Sequence, residues 1–106
     1  MTPKVIHQTK TEAREHRLFF QAERAIEAQR FALHAKETGR IPFVADDPDC
    51  PDVMRLAALG EEFGEVCRAL HDGNAHDLGV ELSHLAGVAL AWGVALEAAR
   101  TDAHAV

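Results

Sequence analysis

Between Thr11 and Leu33 the residues Leu18, Phe19, Ala22, Ile26, Gln29 and Leu33 recur at steps that suit one helix face rather than the alternation of a strand. Thr9 followed by Glu12 has the spacing of a capping box, and Gly39 then Pro42 supply stop signals, so a first helix is predicted at about residues 11–38. Residues 39–52, GRIPFVADDPDCPD, hold three prolines and four aspartates and are predicted to form a loop. Asp52 is placed to cap a second helix whose core row is Leu56, Leu59, Phe63, Val66 and Leu70, ending at a turn over His71–Asn74. A third helix is predicted from about Asp77 to Arg100, with Leu78, Leu82, Leu85, Ala89, Trp92 and Leu96 as its core row.

Nothing in the chain reads as strand, and no repeat or low-complexity segment is visible. The expected fold class is therefore all-α: an antiparallel helical hairpin plus a long N-terminal helix, completing a four-helix-type bundle in an oligomer. With 106 residues, 47% of them apolar, one domain is expected over 1–106, with residues 1–10 flexible and 101–106 a tail. Gly60, Gly64, Gly87 and Gly93 each cost helix stability, which points to close approach of a neighbouring backbone or of a ligand phosphate.

Charge and cysteine usage narrow the setting. No apolar run approaches the roughly 20 residues of a membrane helix, so no membrane association is expected. Met1–His16 lacks the apolar stretch of a secretory signal, so the chain is expected to begin here. Cys50 and Cys67 read as free thiols, which suggests a cytoplasmic protein, with Cys67 expected as a buried, inert group. The formal net charge of −6 disfavours nucleic acid as a partner, and its distribution says more: residues 41–106 carry three Arg against twelve Asp and Glu. In residues 1–40 eight Lys and Arg outnumber five Glu, and Arg30, Lys36 and Arg40 form a basic end to the first helix, which suits the helix C-terminus and makes them candidate phosphate contacts across a dimer interface.

The acidic residues carry the candidate chemistry. The second helix contains Glu61-Glu62-Phe63-Gly64-Glu65 and the third Glu81-Leu82-Ser83-His84. Taking Gly73 as the midpoint of the turn, Glu65 and Glu81 lie eight residues to either side, and Glu62 and His84 eleven. Equal separations in an antiparallel hairpin mean equal heights, and positions three apart share a helix face. A half-buried cluster of carboxylates with one imidazole is predicted between the helices. Clustered carboxylates must protonate, pair with bases or bind a metal. Arg55 and Arg68 are the only Lys or Arg in the second helix, and the third has none before Arg100, so a divalent cation is the economical partner. Carboxylates suit Mg²⁺ or Mn²⁺, and an imidazole ligand shifts preference toward Mn²⁺ or another transition metal. His71 and His76 read as surface residues, and Phe31 and Trp92 as packing groups, either of which becomes a candidate for stacking on a base where a partner chain brings it to the site.

On these motifs the segment from about Met54 to Leu96 resembles the MazG-like, all-α nucleoside triphosphate pyrophosphohydrolases, whose hallmark is E-E-x-x-E on one helix and E-x-x-D on the next. The resemblance implies cleavage of an NTP or dNTP to the monophosphate and pyrophosphate, with Mg²⁺ held by the acidic residues, in a homodimer or homotetramer. It makes Glu62, Glu65 and Glu81 metal ligands, joined by His84 where the family has Asp, and makes Glu61 a further ligand or the catalytic group that orients the attacking water. An imidazole in place of that carboxylate removes one negative charge, so a homologue that binds nucleotide or metal without turnover is a second expectation. A helical protein-interaction module with an acidic face is a third.

Overall fold

A computed structural model describes residues 9–104. The expectation of a flexible N-terminus therefore lies, for residues 1–8, outside the described residues, as does the tail expectation for residues 105–106. Among the described residues the chain is all-helical: α1 (Lys10–Glu37), α2 (Asp52–His71) and α3 (Ala75–His104).

Local sequence sets each boundary. The Glu12 N–H donates to Thr9 Oγ1 at 3.0 Å, one half of the predicted capping box. Gly39 takes φ 76° past the end of α1, and the Arg40 N–H returns to the Ala35 carbonyl at 2.8 Å, closing the helix by the left-handed turn that glycine favours. At the start of α2 the predicted cap is corrected. Pro51 occupies the cap position, and Asp52 is the first helical residue, its carboxylate accepting from Arg55 Nη1 at 2.8 Å. Gly73, with φ 68°, turns the chain between α2 and α3. Asn74 then caps α3 reciprocally, accepting from the Asp77 N–H at 3.0 Å and donating to Asp77 Oδ2 at 2.9 Å. α3 thus begins before the predicted Asp77 and runs on through His104, so residues 101–104 are helix rather than tail.

α3 is the central element: α1 and α2 each pack against it and make no close backbone approach to one another. The packed rows are built of small residues. Ala25, Ala69, Ser83, Val88, Ala91 and Ala95 are buried, and among the described residues no large side chain is fully buried. The predicted core rows are corrected accordingly: Leu18, Phe19, Ile26, Leu33, Leu56, Phe63, Leu70, Leu82 and Leu96 are exposed, and Ala89 with them. Small residues meet because the helices come close. A Cβ on Gly87 would lie 2.8 Å from the Ala25 carbonyl oxygen, so only glycine fits at the α1–α3 crossing. Gly60, Gly64 and Gly93 have no such neighbour.

The 38–51 loop is fastened to the helices. Buried Arg55 donates to the Ala45 and Asp47 carbonyls at 2.6 and 2.8 Å, and Lys36 of α1 pairs with the Asp47 carboxylate. The expectation that no apolar run approaches the length of a membrane helix is corrected. Within Ala75–Asp102, α3 is long and apolar enough to cross a membrane by length and composition, with mean hydropathy 1.4, because no Lys, Arg, Asp or Glu falls between Glu81 and Glu97.

Candidate metal centre

The antiparallel α2–α3 hairpin brings Glu62, Glu65, Glu81 and His84 together. Each is half-buried, and one ligand atom from each lies within 4.8 Å of all the others. His84 Nδ1 is 3.3 Å from Glu81 Oε2 and 3.7 Å from Glu62 Oε2, near enough for electrostatic attraction but without hydrogen-bond alignment. Both of those carboxylate oxygens are shut off from solvent and have no hydrogen-bond donor.

An acceptor in that position is costly unless something positive or protonated meets it. Protonation is the answer within the chain alone. Burial, reinforced by the charges of Glu65 and Glu81 and opposed by His84, pushes the Glu62 carboxyl up from 4.5 to about 7. Glu65 is raised as well, first by its hydrogen bond with Glu81 and then by burial. A divalent cation is the other answer, and the donor set fits one: three carboxylates, an imidazole, and two orphaned oxygens on different helices.

Glu61 stands apart from the four. It is exposed and borders, with Glu62, a recess of about 410 Å³ walled by Ile41, Phe43, Val44 and Met54. A second recess of about 280 Å³ lies beside Glu62 and His84, where α1 contributes Gln29 and Phe31. Phe31 is exposed there, whereas Trp92 is half-buried.

The three candidate phosphate contacts have other partners. Arg30 pairs with Glu27 at 2.7 Å, Lys36 with Asp47, and Arg40 Nε donates to Thr38 Oγ1 at 3.1 Å. His71 and His76 are exposed, in line with the surface reading. Cys67 is exposed too, which corrects the expectation of a buried thiol; Cys50 is the buried one.

Gln29, part of the predicted core row of α1, lies at the site instead. Its Oε1 is buried without a donor, and its side chain borders the recesses on both sides of Glu62. The available signal was a lone amide in the inward alanine row Ala25, Ala28 and Ala32.

Compared with protein-family models, with curated proteins and with solved structures, the chain matches none. What fold and site define is an all-helical protein with a candidate metal centre of three carboxylates and one imidazole.

Proposed function

We propose that this chain is a divalent-metal-dependent nucleoside triphosphate pyrophosphohydrolase of the MazG-like kind, converting an NTP or dNTP and water to the monophosphate and pyrophosphate. The observation that carries the reading is the convergence of Glu62, Glu65, Glu81 and His84 from two helices, two of their oxygens lacking any donor. The E-E-x-x-E and E-x-x-H strings that supply them support the same reading.

Glu62, Glu65 and Glu81 would hold the cation, Mg²⁺ or Mn²⁺, with His84 completing the set. When bound, the ion neutralises phosphate charge and lowers the pKa of water. Glu61, solvent-facing and next to Glu62, orients the attacking water and accepts its proton at a carboxylate oxygen. Phe31 offers an exposed ring for stacking a base beside Glu62 and His84. Gln29 Oε1 presents an acceptor without a donor in the same recess.

The test is incubation of the purified chain with a panel of nucleoside triphosphates and Mg²⁺ or Mn²⁺, with pyrophosphate and monophosphate both quantified. The expected result is equimolar formation of the two, reduced more than about 100-fold in Glu62→Ala, since loss of even an outer-sphere partner costs ~10–100-fold. Turnover that survives Glu62→Ala overturns the site. His84 in place of a carboxylate favours one second reading, a binder without turnover. In that case wild type is inactive, nucleotide still binds, and His84→Asp restores hydrolysis.

A further inference from the structure

Among the described residues three buried side-chain atoms lack a hydrogen-bond partner: Glu62 Oε2, Glu81 Oε2 and Gln29 Oε1. The first two belong to the candidate metal centre, where a proton or an ion answers them. The third is the oxygen of an uncharged amide that reaches the site from α1. A buried acceptor without a donor is destabilising, and an apolar side chain of the same volume would avoid the cost.

Gln29 and Glu62 occupy the same partition. The recess beside the loop and the recess beside His84 are both walled by Gln29, Ala32, Glu62 and Val88, so these four residues separate the two. Ala32 and Val88 are apolar, which leaves the Gln29 amide and the Glu62 carboxylate as the polar groups of the partition. The other nitrogen donors at these recesses are engaged. Arg55 is bonded to the Ala45 and Asp47 carbonyls and to Asp52, and His84 lies against Glu81 and Glu62 as a candidate ligand. Neither amide atom of Gln29 makes a hydrogen bond.

The fold also makes room for this side chain. A Cβ on Gly87 would lie 3.2 Å from Gln29 Nε2 and 3.3 Å from its Cγ, so the glycine at the α1–α3 crossing also seats Gln29 against α3. In that pose Nε2 lies on the α3 side and Oε1 is the sealed atom. A half-turn of the terminal amide exchanges the two within the same volume and converts a buried acceptor into a buried donor. We infer that Gln29 is a positioning residue of the metal centre, its Nε2 donating to the Glu62 carboxylate when a divalent cation is held there and fixing the rotation of that ligand. The inference rests on the metal reading of Glu62, Glu65, Glu81 and His84. An amide suits the role better than a base does. Lys or Arg in its place would cancel the charge that attracts the ion, whereas an amide N–H aligns the oxygen and leaves that charge intact. Metal-binding carboxylates are held by such outer partners, whose loss costs about 10–100-fold in affinity.

Gln29→Met, which keeps the length of the side chain and removes both amide atoms, separates this role from packing. At pH 8 its Mn²⁺ affinity by calorimetry should fall about 10–100-fold. Its melting temperature without metal should hold or rise, because the variant no longer buries an oxygen without a donor. A side chain that only packs would lower both quantities, and that result overturns the inference, as does wild-type affinity in Gln29→Met. In either case the metal centre stands. Absence of Mn²⁺ binding in wild type overturns the inference and the metal reading together. Nuclear magnetic resonance of the wild-type chain supplies a readout that needs no variant to fold. On saturation with diamagnetic Mg²⁺ one Nε2 proton of Gln29 should move downfield and exchange more slowly with water. A side-chain amide that Mg²⁺ leaves unchanged overturns the inference.

Discussion

At the residue scale the account turns on Glu62. Its carboxyl titrates near 7 in the folded chain against an ordinary 4.5, because burial and the neighbouring Glu65 penalise its charged form. Between those values the folded state holds a proton that the unfolded chain has released, so without metal this group's contribution to stability falls as pH rises from about 4.5 to 7, then levels. Melting temperatures across pH 4 to 9 should show that decline reduced in Glu62→Gln. With Mn²⁺ the proton and the ion compete for the same oxygens, so metal-induced stabilisation should grow as pH passes upward through 7. Gly87 is the other residue whose identity the structure fixes. Gly87→Ala sets a Cβ against the Ala25 carbonyl at the α1–α3 crossing, and equilibrium denaturation should record a loss of about 1–3 kcal/mol.

At the scale of elements, the loop between α1 and α2 is held mainly by Arg55, with Lys36 on the Asp47 carboxylate. Arg55 donates to the Ala45 carbonyl, shares the Asp47 carbonyl with the Cys50 N–H and also pairs with Asp52, so Arg55→Met should cost about 1–3 kcal/mol and speed amide exchange over 44–50. The helices themselves were legible because their signals are local: Thr9 and Glu12, Gly39, and the turn at Gly73 act through adjacent backbone. Their orientations were less so. Periodicity marks apolar faces without saying what covers them, and rows such as Leu56, Phe63 and Leu70 look like core although they face outward in the protomer. The faces that pack within the chain are alanine and glycine rows, such as Ala25 against Gly87, whose value lies in close approach rather than in hydrophobic area.

At the scale of the whole molecule, the Cα radius of gyration is 17.8 Å, against ~13 Å for a compact chain of this length. The chain is open because its central helix packs against both others while those two make no close backbone approach to each other. The cluster between α2 and α3 was legible because a hairpin converts equal chain distances into equal heights, which set Glu65 beside Glu81 and Glu62 beside His84. The rotation of each side chain, and the approach of Gln29 from α1, depend on packing that no spacing encodes. If the cluster is a metal site, Mn²⁺ at a hundred times its dissociation constant should stabilise the chain by about 2.7 kcal/mol. That is a rise of more than ~10 °C in melting temperature for a domain of this size. The most direct measurement is calorimetric titration of Mn²⁺ into wild type, Glu62→Gln, Glu81→Gln and His84→Ala at pH 8. The account predicts saturable binding in wild type, abolished by either Gln substitution and weakened by His84→Ala. Unchanged binding in all three variants, or no binding in wild type, would contradict it.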